Sequence, residues 1–206
     1  MTTLLSTEDQ TAIAAAIAEA ERGTAGEIRV VITTQPLVRH HFYRLMWATL
    51  CALVIPWPLA LLTPLDVPEL LSLQAATFVI VGAVLMLTPL GALSVPGVAK
   101  EGAARAAAID HFLAHGMHQT RERTGVLILV ALSEHLVEVV ADEGIHSRVG
   151  HDAWSRVCAI VLAGARAGRL TEGINAGVRE AGLILATHAP PTPGDTNELS
   201  DRVIVV

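Results

Sequence analysis

The sequence predicts an α/β fold: a small mixed β-sheet sandwiched by helices, with a two-helix transmembrane hairpin inserted after the first strand. Three observations predict it. Between Arg44 and Lys100 the only formally charged residues are Asp66 and Glu69. Two short apolar runs, Glu27–Thr33 (EIRVVIT) and Gly125–Leu132 (GVLILVAL), are separated by that stretch and an Ala-rich helical segment. A third run, Leu136–Ala141 (LVEVVA), returns after the turn Ser133-Glu134-His135. Strands joined by a helical crossover run parallel and right-handed, and a tight turn makes the third antiparallel.

The elements follow in order. Thr7 is a candidate N-cap with Gln10 as its box partner. The helix runs to about Arg22, with Ile13 and Ile17 as its apolar ridge, and Gly23 and Gly26 stop it. In the first strand Ile28, Val30 and Ile32 share a face. Val98–Gln119 reads as one helix, and Gly125–Leu132 as a central strand covered on both faces. Asp152–Ala167 carries Trp154, Val157, Cys158, Val161 and Leu162 at helical spacing. Gly168 separates it from Leu170–His188, whose stripe is Ile174, Val178, Ala181 and Ile184/Leu185. Pro190, Pro191, Pro193 and Gly194 form a linker. The closing run Arg202–Val206 (RVIVV) pairs at a sheet edge or packs on the domain, the alternative being a loose tail. Residues 1–38 and 98–189 thus form two parts of one domain, 39–97 the hairpin, and 190–206 a Pro-rich linker and tail.

A helix rises 1.5 Å per residue, so ~20 apolar residues cross a ~30 Å hydrocarbon core. Residues 45–63 and 70–93 meet that length without a charge, and Trp47 and Trp57 suit interfacial positions. The alternative, two buried helices in a soluble core, overloads the roughly 150 residues that remain. Arg39, His40, His41 and Arg44 precede the first span, and Lys100 and Arg105 follow the second. The loop between them, residues 64–69, has no Lys or Arg. The positive-inside rule then puts both termini of this multi-pass protein in the cytoplasm and the short loop outside. The lipid bilayer is therefore the expected partner.

Composition narrows the function classes. The net charge of −6, with no basic run, excludes a general nucleic-acid binder. Cys51 and Cys158 are the only cysteines, so no disulfide framework is expected and a reducing compartment suits the chain. The polar start (Ser6, Thr7, Glu8, Asp9) is not that of a secretory signal. No Walker loop, GxGxxG or G-x-S-x-G elbow is present, although Ser147 and Ser155 lie near His146, His151 and Asp152.

The stretch RTGVLILVALSEHLVEVVADEGIHSRVGHD, Arg123 to Asp152, resembles the TPM domain family, named for a thylakoid lumen protein, a photosystem II repair factor and a nematode acetylcholine-receptor accessory. The opening LSTEDQTAIAAAIAEAERGTAGEIRVVI is similar to the family's first helix and strand. Asn197-Glu198-Leu199 with Asp201-Arg202 resembles a bacterial membrane subgroup, which has Pro where this chain has Ser200. The resemblance implies a membrane-associated accessory domain, in a family with members described as calcium-binding or as weak acid phosphatases. Many members carry an aromatic between two glycines after the third strand. Here that run is Ala141-Asp142-Glu143-Gly144.

Because the hairpin leaves from the end of the first strand, that end of the sheet faces the bilayer, together with Glu134 and His135. Asp142 and Glu143 fall at the opposite, cytoplasmic edge, near Gly26, Glu27, Arg121 and Arg123. An acidic pocket of Glu27, Asp142 and Glu143 is the candidate metal site, because carboxylate oxygens suit Ca²⁺ or another divalent cation. The alternative is ion pairing with Arg121 or Arg123, or a solvated turn. His111, His115 and His118 recur at helical spacing, a pattern also used for zinc. Ile109, Phe112, Leu113 and Gly116 lie on the opposite face, so the histidines are expected to point outward. With no convergent catalytic set, the expected function is that of a membrane-anchored accessory domain, which presents its soluble part to a membrane-protein partner or self-associates. The alternative is a divalent-metal-binding, phosphatase-like hydrolase.

Overall fold

A computed structural model describes residues 5–191 and 198–206. The expected linker residues Pro193 and Gly194, and Asn197 of the tail motif, lie outside the described residues. The chain divides into two compact units, Met1–Leu37 with Glu101–Val206, and Val38–Lys100.

The first unit is mixed α/β. Helix α1 (Thr7–Glu21) leads to β1 (Ile28–Thr33). From the end of the second unit onward come α5 (Gly97–Ala114), whose first turn still belongs to that unit, β2 (Val126–Ala131), β3 (Leu136–Ala141), α6 (Glu143–Val149), α7 (His151–Arg166), α8 (Leu170–His188) and β4 (Ile204–Val205). The sheet order is β3-β2-β1-β4. β1 and β2 are parallel, from Ile28↔Val126 to Thr33↔Ala131. β3 returns antiparallel, with Val126 opposite Ala141 and Ala131 opposite Leu136. The tail strand β4 pairs parallel to the free edge of β1, at Val31↔Ile204 and Ile32↔Val205.

Every residue of β1 and β2 is buried. Period-two alternation sends Ile28, Val30, Ile32, Val126, Ile128 and Val130 to one face. There they meet Ile13 and Ile17 of α1, Val157 and Val161 of α7, and Ile174 and Leu185 of α8. Val31, Leu127, Leu129 and Val140 fill the other face with Ala108 and Phe112 of α5 and with Met117.

Several boundaries differ from expectation. The N-cap of α1 is Ser6, not Thr7. Its Oγ accepts from the Asp9 N–H at 3.1 Å, and the Asp9 carboxylate accepts from the Ser6 N–H at 3.0 Å. An acid closes this reciprocal pair better than the neutral Gln10. The Val98–Gln119 helix breaks at Gly116, whose φ of 70° is left-handed, and a 3-10 turn, Met117–Gln119, follows. An unforeseen short helix, α6, begins directly after β3, because Asp142 caps it by accepting from the Glu143 N–H at 2.7 Å.

The second unit contains α2 (His40–Val54), α3 (Pro56–Leu62) and α4 (Val67–Leu87), with a 3-10 turn at Pro89–Ser94. Two stretches are long and apolar enough to cross a membrane, His40–Leu62 and Val67–Leu87. The first begins earlier than residue 45, and Pro56 divides it. The second stops at Leu87 rather than continuing to 93, because Pro89 cannot extend the helix. α2 packs along α4, and the Trp47 indole N–H donates to the Ser94 carbonyl at 2.9 Å.

Candidate functional site

The N-terminal end of β1, the start of β2 and the end of β3 form one end of the sheet, and buried polar groups concentrate there. Thr24 anchors the loop into β1. Its hydroxyl donates to the Ala189 carbonyl at 2.6 Å, and its Oγ1 accepts from the Gly26 N–H at 3.0 Å. Across the strands, the Thr124 hydroxyl donates to the Ala25 carbonyl at 2.8 Å.

Asp142 ends β3 as a buried side chain. Its Oδ1 accepts from Arg123 Nη2 at 2.9 Å and Nε at 3.1 Å, as well as from the Glu143 N–H. Arg123 adopts a left-handed φ of 55° to deliver that guanidinium. The Asp142 carboxylate in turn pushes the Arg123 pKa up, through the hydrogen bond first and the charge second. Gly144 is needed beside this pair: a Cβ there would lie 2.5 Å from the carbonyl oxygens of both Glu122 and Arg123. Glu143 itself is exposed.

Glu27 is also buried, but it faces a different set of partners. Its Oε1 accepts from the Glu198 N–H at 2.8 Å. Burial raises its pKa; the N–H groups of Glu198 and Leu199 oppose that, and Glu198 and Asp201 reinforce it. Glu21, at the end of α1, accepts from the Ile28 N–H at 2.7 Å, capping the β1 edge below the reach of β4. Burial pushes its pKa up to about 8; Glu27 and Asp201 add to the rise and Arg29 counters it. Arg121 pairs with Glu198 at 3.4 Å.

The three expected metal residues therefore share one end of the sheet but not one set of contacts: Asp142 accepts from Arg123 and from the Glu143 N–H, and Glu27 accepts from the tail. Two oxygens there, Glu27 Oε2 and Asp142 Oδ2, are buried without a hydrogen-bond partner. Among the described residues no three His, Cys, Asp or Glu side chains converge in a metal-binding group. As they stand, the side chains fall short of the six or more oxygens that Ca²⁺ takes.

Glu134 and His135 lie at the other end of the sheet, where Glu134 accepts from the Leu37 N–H at 2.8 Å. The histidine stripe is half-buried rather than outward. The buried ridge of α5 is Ala104, Ala108 and Phe112, while Ile109 and Leu113 are exposed. This rotates His111 and His115 onto the shoulder of the sheet. Their rings stack at 5.7 Å, and His118 lies beyond the Gly116 break. Burial, then Arg29 and His111, hold the His115 pKa below its ordinary value. His146 and Ser147 are exposed on α6, and Asp152 and Ser155 are exposed on α7. His151 opens α7, and its side chain lies outside the described residues.

Sequence reasoning missed Glu21, Glu198 and Asp201. A signal for the last two was present: a tail strand parallel to β1 carries the residues before it to the N-terminal end of β1, beside Glu27.

Comparison with known proteins adds three findings. No curated protein matches the chain. The solution structure of the BA42 protein from the psychrophilic bacterium Bizionia argentinensis is similar, with a TM-score of 0.63 at 21% identity over 100% of this chain and 98% of that one. At that identity the likeness concerns the fold alone. A family model described as TPM domain matches residues 92–183, from the last turn before α5 into α8. Over that segment, just under half of its length, this chain is similar to the TPM domain family.

Proposed function

We propose that the chain is a membrane-anchored accessory domain that presents its α/β unit to a membrane-protein partner or to a second copy of itself. The observation that carries this reading is the exposure of the second unit. α4 has no buried residue, and large apolar side chains stand in solvent along α2, α3 and α4, with Leu62 82% and Leu87 85% exposed. An apolar surface of this extent has a favourable solvent only in lipid or in another protein. The flanking charges put both termini in the cytoplasm. The chain then lies in a bacterial inner membrane, with 39–97 as its hairpin and the remainder as one split domain. An alkaline carbonate wash of membranes is the test. Retention of the full chain in the pellet is expected, and release into the supernatant overturns the reading. Protease added from the periplasmic side should leave residues 98–206 intact, and their digestion would reverse the orientation.

A second reading, a divalent-metal-binding, phosphatase-like hydrolase using Glu27, Asp142 and Glu143, draws on the two unpartnered buried oxygens. It requires Arg123 to release Asp142 and further oxygens to join. Melting curves with Ca²⁺, Mg²⁺ and Zn²⁺ separate the readings. A ligand at 100 times its dissociation constant adds about 2.7 kcal/mol of stability, and no shift with any of the three removes this second reading.

A further inference from the structure

We propose that the α/β unit also holds the acyl chain of an anionic membrane phospholipid, in a cleft at the end of the sheet opposite Glu27 and Asp142. The cleft measures about 750 Å³, within the size range of small-molecule sites. Its walls are apolar, formed by Val130, Leu132, Leu136, Val137, Leu162 and Leu170. They come from the end of β2, the start of β3, the last turns of α7 and the start of α8. Two exposed polar residues, His135 and Arg166, complete the lining.

Charge points to the headgroup. Arg105, Arg121, Arg123, Arg156 and Arg169 each pair with a carboxylate. Arg166 has no such partner among the described residues, so its planar fork of donors remains available to a phosphate. Position points to the source. Ala131 lies opposite Thr33 at the end of β1. The chain leaves the unit from that same end, at Leu37, for the apolar helices. This inference rests on the membrane-anchored reading, under which phospholipid is the apolar anion most abundant around the anchored chain.

The test uses the full chain in phosphatidylcholine nanodiscs carrying phosphatidylglycerol with a photoactivatable acyl chain. Labelled peptides are mapped after irradiation. Labels are expected in α2–α4, which report anchoring, and in peptides containing Leu132–Val137 or Leu162–Leu170. Ala165→Phe, which fills the cleft from its lining, should cut the second set several-fold and leave the first unchanged. Leu132→Trp serves as an independent filling variant should Ala165→Phe lower the melting temperature. Arg166→Gln should lower cleft labelling about tenfold, the loss expected for one charge-assisted hydrogen bond. Labels confined to α2–α4 overturn the cleft proposal while anchoring stands, whereas labels in neither region overturn anchoring itself. Cleft labels insensitive to both filling variants indicate surface contact only and overturn the proposal. Equal labelling by a free fatty-acid probe in the absence of a bilayer overturns phospholipid as the occupant.

Discussion

β2 and α4 are both apolar runs of this chain, yet they meet opposite surroundings. All six residues of β2 are buried between two helical layers, whereas none of the 21 residues of α4 is buried. Both are predominantly apolar, so an apolar composition alone does not say which is covered; the number of neighbours available to cover them does. A six-residue strand hydrogen-bonds to two other strands and offers each face to a helix layer. A helix satisfies its own backbone and needs no protein neighbour for that purpose, which makes it the element that lipid tolerates. The comparison teaches that an apolar segment is informative about its solvent only after its backbone partners are counted.

Substitutions on the two elements test this contrast. Ile128→Ala removes a fully buried side chain from the centre of β2. It should cost about 2–5 kcal/mol of stability in chemical unfolding of the α/β unit and leave membrane retention unchanged. Val79→Arg, near the middle of α4, should do the reverse. An arginine at the centre of a span costs roughly 2.5–3.5 kcal/mol on insertion scales, so carbonate-resistant protein should fall while the melting of the α/β unit stays the same. If both substitutions lowered the same unfolding transition, α4 would be a core helix after all.

Smaller effects sharpen the picture at the polar end of the sheet. Asp142→Ala removes the N-cap of α6 and the partner of Arg123, and a lost cap costs about 0.5–2 kcal/mol. Denaturant midpoints should shift accordingly, and Asp142→Asn should recover part of the loss by preserving the cap. The same end of the sheet also carries a pH effect. Glu21 has a folded-state pKa of about 8, above its ordinary value of 4.5. Between these values the folded chain holds a proton that the unfolded chain has released. The stability contributed by Glu21 is therefore complete below about pH 4.5 and is lost as pH rises to about 8. The limiting slope for one proton is about 1.4 kcal/mol per pH unit, and the partial exposure of Glu21 reduces it. Glu21→Gln should flatten that part of the stability profile measured by thermal melting, and an unchanged profile would show that Glu21 is not the titrating group.

Much of the α/β frame was legible from local pattern. The ridge Ile13/Ile17, the strands around 28–33 and 126–131, the returning strand and the helix Leu170–His188 all follow from short-range periodicity, and the structure repeats them closely. What local pattern mistook were the ends: Ser6 over Thr7 as the cap, the break at Gly116, and α6. Each depends on a side chain bonding to a backbone group, or on a single left-handed residue, which hydrophobic spacing does not register. The candidate site was legible as a location but not as a contact set. Placing Asp142 and Glu27 at one end of the sheet required only strand direction. The pairing of Asp142 with Arg123 was among the alternatives read from the sequence, whereas the capture of Glu27 by the tail required knowing where residues 198–201 return.

The sequence by itself determined which segments are helix or strand, their order and direction, and the presence of two stretches able to span a bilayer, because these properties arise from neighbours within a few positions. Only the tertiary structure decided which carboxylates lose water, which arginine each one meets, and that the last strand closes the edge of the first. Several of those outcomes bring together residues more than 100 positions apart, such as Glu27 and Glu198. Desolvation and hydrogen bonding act on the groups that become close in space, whatever their separation along the chain.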